Sequence, residues 1–158
     1  MSTSNWWNVS TNNWWDNSNN DNFLSLNNPL INYKEIGMKF LEHYYRNFDQ
    51  NWRTLYTYYM NDATYTFQDE EYLGIQSIKN KYDSLNLNNP KHHVFSYDVQ
   101  PIGKNKVSIM VTGSLTNTVR YNWISFGQQT KTFNFVESFL VVNVNCRWFI
   151  QSHMFRVV

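Results

Sequence analysis

Residues 33–49 read YKEIGMKFLEHYYRNFD, and their apolar side chains recur every three or four positions. This spacing places them on one face of a helix, with the acidic Glu35 in the first turn, where the helix dipole favours a carboxylate. The stretch therefore predicts an amphipathic helix that begins near Tyr33. Its predicted core face consists of Ile36, Phe40, Leu41, Tyr44 and Phe48.

The chain that follows this helix predicts two further helices and a run of strands. Helical spacing recurs over 52–59 and 75–85, and residues 63–67 alternate as a short strand that ends in an acidic turn, 69–71. Four longer strands are predicted over 92–100, 107–115, 133–141 and 148–157, with a hairpin at 143–147. Helices followed by antiparallel strands indicate an α+β fold, with three helices on one face of a strongly bent sheet.

Composition narrows the function classes for this chain of 158 residues. The formal net charge of +1 is too small for a polybasic nucleic-acid binder, so direct nucleic-acid binding is not expected. No apolar run approaches the roughly 20 residues that a bilayer helix needs, so no membrane partner is expected. One cysteine, Cys146, excludes an internal disulfide and argues for the reducing interior of a cell. We expect no metal and no cofactor, because common metal-binding and phosphate-binding motifs are absent.

The N-terminal segment differs in composition from the rest of the chain. Residues 1–32 contain 11 Asn, 2 Asp and neither Lys nor Arg, without any apolar period, which predicts a disordered tail. Two tryptophan pairs, Trp6-Trp7 and Trp14-Trp15, form an eight-residue near-repeat within it. They are either chance aromatics in a biased segment or a peptide that docks in a groove or on a partner. The folded domain is predicted over 33–158, with a long acid-free loop at about 117–131.

Several short motifs along the predicted folded domain resemble, in their order and spacing, those of a known protein family. They are Ile36-Gly37, His43-Tyr44-Tyr45, Thr66-Phe67, Asp98-x-Gln100-Pro101, Met110-Val111 and Met154-Phe155-Arg156. In order and spacing they resemble the nuclear transport factor 2 family, from about residue 33 to 117 and again from 135 to 156. The resemblance implies a cone of three helices against a bent antiparallel sheet. It also implies a dimer through the outer sheet face that includes Met110, Met154 and Arg156, with Asp49 as a conceivable partner for the arginine. Ordinary outward methionines and a solvated arginine are the alternatives.

The resemblance further implies a transport factor without catalytic residues, present in nucleus and cytoplasm and acting at the nuclear pore. Family members dock to phenylalanine-glycine repeats of nucleoporins. The family tryptophan for this contact aligns with Tyr33, for which packing on its own domain is the alternative.

Partner choice depends on the rim of the cone. Relatives that carry Ran-GDP accept an aromatic side chain there and pair rim acids with basic residues of Ran. The matching rim positions are Phe67 and the neutral Gln68, then Arg120 in a stretch, 99–136, that has no acid. Asp69, Glu70 and Glu71 either form a displaced acidic rim or are simply solvated. This departure favours an mRNA-export cofactor that forms a heterodimer with an mRNA export receptor; a homodimeric Ran-GDP carrier is the alternative.

An enzyme is the third interpretation, because the same cone serves dehydratases and ketosteroid isomerases. Such chemistry needs an acid or base inside the cone. Strand alternation places Asp98 on the face of His92 and opposite His93, so no inward carboxylate–histidine pair is predicted. An Asp or His inside the cone with no salt-bridge or backbone partner would favour the enzyme.

Overall fold

The structure is a computed structural model that describes residues 29–120 and 128–158. Along these residues the elements are α1 (Pro29–Asn51), a 3₁₀ helix (Trp52–Tyr58), β1 (Tyr59–Phe67), β2 (Glu70–Leu73), α2 (Ile75–Ser84), β3 (Lys91–Ile102), β4 (Lys106–Arg120), β5 (Gln128–Val144) and β6 (Arg147–Val157). The predicted α+β fold is confirmed. The second predicted helix is a 3₁₀ segment that continues directly from α1, and none of the described helices is long and apolar enough to cross a membrane.

The described strands form one curved six-stranded sheet in the order β2-β1-β6-β5-β4-β3. Neighbouring strands run antiparallel except β1 and β6, which pair in parallel, so the expectation of a wholly antiparallel sheet is wrong at this pair. The parallel pair brings the end of β1 beside the end of β6, because Phe67 lies opposite Phe155. Two predicted site segments therefore meet at one end of the sheet.

The inner sheet face packs against α1 through aromatic side chains. Phe40 and Tyr44 contact Phe139 edge-on, with ring centroids 5.0 and 4.9 Å apart. The helix approaches β3 closely at Gly37, where a Cβ atom would lie 2.6 Å from Cγ2 of Val99. A glycine at this position lets the helix lie against the sheet.

Several predicted boundaries move. The first helix begins at Pro29, four residues before the predicted start at Tyr33, and its backbone is non-helical at Asn32. The rest of the predicted tail lies outside the described residues. The strands β4 and β5 pair through most of the predicted loop, for example Thr118 opposite Thr130, which leaves 121–127 outside the described residues. These strand ends are polar, so apolar alternation did not reveal them.

Turn and bulge geometry accounts for the remaining differences. Glu70 and Glu71 belong to β2, so the predicted acidic turn contracts to Gln68, with φ of 58°, and Asp69. The predicted hairpin after β5 is confirmed: Asn145 and Cys146 both have positive φ, as two-residue type I′ turns require.

In β3 the register shifts between Val94 and Ser96, which places one extra residue, Phe95, in the strand. The bulge reverses the alternation, so Asp98 lies on the face opposite His92 and the predicted shared face is wrong.

Candidate functional site

The first part of the candidate site is the cone rim, the turn formed by Phe67, Gln68, Asp69 and Glu70. The Phe67 ring stacks on Phe155 with centroids 5.1 Å apart and planes within 6°. The backbone N–H of Gln68 donates to the Phe155 carbonyl at 2.9 Å, and the Val157 N–H donates to the Gln68 side-chain oxygen at 3.2 Å. The turn is therefore fixed to the end of β6.

Two cations face the two acids of the rim. Nη2 of Arg156 lies 3.1 Å from Oδ1 of Asp69, so within the chain this arginine pairs with Asp69, whereas Asp49, its conceivable partner, contacts His92. Nζ of Lys81 lies 3.5 Å from Oε2 of Glu70 and 4.1 Å from the Phe67 ring centroid. A hydrogen bond from the Tyr72 hydroxyl, and then Lys81, lower the pKa of Glu70. The charges of Asp69 and Glu70 are therefore compensated within the chain.

Arg120, the other predicted rim residue, is described by its backbone alone. Arg120 ends β4, and its backbone pairs with Gln128, but its side chain lies outside the described residues. Nearby, the backbone N–H of Thr118 donates to the Asn88 carbonyl at 3.0 Å. The end of β4 is thus tied to the segment that follows α2.

The outer sheet face carries the predicted dimer residues in one row. Met110 lies opposite Ser138, and Ser138 lies opposite Met154. The two methionines are 51% and 55% exposed, which is unusual for large apolar side chains. Arg156 follows two residues after Met154 on the same face, and its side chain is 56% exposed. The structure therefore brings the three residues together on an accessible surface.

Tyr33, the candidate nucleoporin contact, lies near the start of α1. Its side chain is half-buried and packs against the core. Nζ of Lys34 lies 6.0 Å from its ring centroid. One part of the Tyr33 ring therefore packs against its own domain, and the rest is exposed to solvent.

The inside of the cone holds a buried hydrogen-bond chain that the sequence did not predict. The Tyr44, Tyr82 and Tyr59 hydroxyls follow one another at 2.8 and 2.7 Å. The Tyr59 hydroxyl is 2.6 Å from Nδ1 of His153, and Nε2 of His153 is 2.5 Å from Oε1 of Glu137. The chain ends where the Tyr45 hydroxyl donates to Oε2 of Glu137 at 2.5 Å.

Burial sets the protonation of the four tyrosines in this hydrogen-bond chain. It is the main cause that raises the pKa of each of the four tyrosine hydroxyls above its ordinary value. They are therefore neutral at physiological pH. Glu137 is 3% exposed and His153 is 1% exposed, and each ring nitrogen and carboxylate oxygen has a partner. One sequence signal could have found the acid, since Glu137 alternates with the inward residues Phe135 and Phe139.

A second buried pair joins α1 to β3. Nδ1 of His92 is 2.7 Å from Oδ1 of Asp49, and the His92 backbone N–H donates to Oδ2 at 3.1 Å. The prediction that no inward carboxylate–histidine pair exists is therefore wrong, because the structure contains two. Both histidines have carboxylate partners, so neither is the unpartnered acid or base that the enzyme interpretation requires. In the described ranges, no group of three or more His, Cys, Asp or Glu could hold a metal ion.

The remaining histidines lie outside the core. His93 is exposed at the start of β3. His43 is half-buried on α1, and burial, with Arg46 and Lys39 nearby, lowers its pKa.

The family of the chain follows from its similarity to known proteins. A family model described as the nuclear transport factor 2 (NTF2) domain matches residues 36–157. The chain belongs to the NTF2 family. A rice (Oryza sativa subsp. japonica) protein named nuclear transport factor 2 is 28% identical over 123 residues, which cover 77% of this chain and 93% of the rice protein. The solved nuclear transport factor 2 from Cryptosporidium parvum has a TM-score of 0.68 at 26% identity, covering 80% of this chain and 95% of that one.

The NTF2 fold also occurs in proteins of other functions. A solved structure assigned as a scytalone dehydratase, from Novosphingobium aromaticivorans, has a TM-score of 0.66 at 12% identity, covering 79% of this chain and 84% of that one. This likeness shows the fold alone.

Proposed function

We propose that this chain is a non-enzymatic nucleocytoplasmic transport factor that pairs with a transport protein in the manner of an mRNA-export cofactor. Membership of the NTF2 family and relatives named nuclear transport factor 2 support the transport role. In this proposal the chain docks to phenylalanine-glycine repeats and moves between nucleus and cytoplasm through the nuclear pore. The charge-compensated rim carries the choice of partner.

The rim offers little net attraction to a basic partner. Asp69 and Glu70 already face Arg156 and Lys81, and Gln68 is neutral. An incoming lysine or arginine would have to share each acid with a cation already beside it. Like charges brought together at an interface oppose binding and slow encounter. We therefore expect weak binding of Ran-GDP, whose family contact uses basic residues.

Titration calorimetry with Ran-GDP tests this expectation. The chain should show no saturable binding at micromolar concentration. The double variant Gln68→Glu/Lys81→Gln should bind more tightly, because it adds one negative charge and removes one positive charge at the rim. Lys79→Gln is the matched control, since Lys79 lies on the same helix and pairs with Asp83, which is not a rim residue. Micromolar or tighter binding by the unmodified chain would support the alternative, a Ran-GDP carrier.

The outer sheet face is the proposed subunit contact. Exposed methionines suit adaptable apolar contacts, and Met110 and Met154 flank the small Ser138. Size-exclusion chromatography with light scattering, alone and with an mRNA export receptor domain, measures the pairing. A monomer that joins the receptor supports the export role, whereas a stable homodimer that ignores the receptor contradicts it.

A matched pair of variants locates that contact. Met110→Asp should abolish the subunit pairing, because it buries an unpartnered carboxylate in the interface. Leu73→Asp changes an even more exposed apolar residue, 67% accessible on the edge strand β2, and should leave pairing intact. If Met110→Asp and Leu73→Asp weaken subunit pairing equally, the outer sheet face is not the contact.

Tyr33 is the proposed repeat-binding residue. Tyr33→Trp restores the larger ring of the family and should strengthen binding to a phenylalanine-glycine repeat peptide. Tyr33→Ala should weaken binding with little change in the melting temperature. A lower melting temperature with unchanged peptide binding would show that the residue serves packing alone.

A further inference from the structure

A cavity of about 330 Å³ lies between α1 and β3 and shares no lining residue with the rim or the methionine row. We call it the α1–β3 groove. Its apolar walls come from Met38, Leu41 and Tyr45 of the helix and from Val94, Phe95 and Tyr97 of the strand. This volume lies at the lower end of the roughly 300–1,000 Å³ typical of ligand pockets, which suits one or two aromatic side chains.

The strand beside the groove is the last strand of the sheet. Because β3 pairs only with β4 among the described strands, its other edge presents backbone N–H and C=O groups. Phe95, placed by the bulge, is 56% exposed at this edge. An apolar groove along a strand edge fits an extended peptide that inserts aromatic side chains and can hydrogen-bond through its backbone.

The chain itself contains such a peptide. Residues 1–28 include two tryptophan pairs, and the pair nearer to α1 is Trp14-Trp15. Thirteen residues separate Trp15 from Pro29, so the fourteen steps between them, at about 3.3 Å each, span up to roughly 46 Å. The nine steps from Pro29 to Met38, which include the kink at Asn32, rise only about 14 Å along the helix. The pair can therefore reach the groove, and a covalent link of this length gives an effective concentration of the order of millimolar.

Charge favours the same occupant. Asp16 and Asp21 are the only charged side chains before Lys34, and Asp16 directly follows Trp15. The exposed Lys91 adjoins the groove residues His92 and His93 at the start of β3, while Glu42 lines the helix side. An acid next to the inserted tryptophan pair is attracted to the lysine end.

We propose that the Trp14-Trp15 pair occupies the α1–β3 groove of its own chain. The pair then covers an apolar surface that would otherwise be open, and a partner can reach the groove only by displacing it. The proposal does not depend on the transport function, since it involves neither the rim nor the outer sheet face.

Methyl NMR of the full chain tests the proposal. Met38 lines the groove, and its ¹³C-labelled methyl resonance, assigned with Met38→Leu, reports an aromatic ring packed against it. Trp14→Ala/Trp15→Ala should shift this resonance, while Met110 and Met154 on the outer face stay unchanged and show that the fold is intact. Asn12→Ala/Asn13→Ala, a change of equal number in the same repeat, should leave Met38 unchanged.

Three results would overturn the proposal. One is a Met38 resonance that does not move when the pair is removed. A second is a shift produced by Trp6→Ala/Trp7→Ala instead, which would give the groove to the other pair. The third is a Met38 shift that depends on protein concentration, which would make the occupant a second copy of the chain.

Discussion

Replacement of Glu137 by alanine tests whether the buried hydrogen-bond chain holds the cone together. The Glu137 carboxylate contacts Nε2 of His153 and the Tyr45 hydroxyl, both at 2.5 Å, and is 3% exposed. Alanine removes both contacts and leaves two buried polar groups without their partner. Each buried polar group that loses its hydrogen-bond partner costs about 1–3 kcal/mol, so the two together cost about 2–6 kcal/mol. A domain of this size has about 5–15 kcal/mol of stability in total, so Glu137→Ala should lose a large part of it.

Glu137→Gln is the matched control, because it keeps the size of the side chain and one carbonyl acceptor. Its amide can donate to the Tyr45 oxygen, since a phenol hydroxyl both donates and accepts. The variant should therefore cost about 1 kcal/mol, the order of one net hydrogen bond.

Urea unfolding at one fixed protein concentration measures the free energy of unfolding of both variants. An unchanged m-value is required before a midpoint shift is converted into free energy. A Glu137→Ala protein within about 1 kcal/mol of the unmodified chain would refute the reasoning, since such a loss matches a single hydrogen bond. Glutamine as damaging as alanine would show that the negative charge matters more than the hydrogen bonds.

Three further predictions concern the interior. Raised pKa values keep the buried tyrosines neutral in the folded state, whereas the same residues ionise above about pH 10 in the unfolded chain. The free energy of unfolding should therefore be unaffected by these tyrosines below about pH 10. Above it, the free energy should fall by up to about 1.4 kcal/mol per pH unit for each tyrosine. Tyrosinate absorbance and circular dichroism should then change together; the residues are Tyr44, Tyr45, Tyr59, Tyr65 and Tyr82. Asp49→Ala removes both acceptors of His92 and should cost about 1–3 kcal/mol, with faster hydrogen exchange at the His92 amide than in Asp49→Asn. Gly37→Ala places a Cβ 2.6 Å from Val99 and should lower stability in urea by about 1–3 kcal/mol; Val99→Ala should restore part of this loss, and an additive double variant would contradict the contact.

Local sequence patterns predicted the helices and turns whose geometry depends on neighbouring residues. They did not predict contacts between residues that are distant in the sequence. The helix around Phe40 and Tyr44 and the hairpin at Asn145 follow from spacing and turn geometry alone. The bulge at Phe95 has no such signature, although it decides which face Asp98 occupies. In the same way, no local pattern places Lys81 over the Phe67 ring, because α2 and β1 meet only in the folded chain.

The hydrogen bonds and burial of His153 leave this residue poorly placed to act as a general acid or base. A general acid or base must lie within hydrogen-bond reach of the substrate proton. Both ring nitrogens of His153 are already bonded, to Tyr59 and to Glu137, and the ring is 1% exposed. A substrate could reach this histidine only after a buried hydrogen bond was broken and aromatic packing was displaced. Binding at the methionine row, or at Asp69 and Arg156 of the rim, requires no such rearrangement, because these side chains are already exposed.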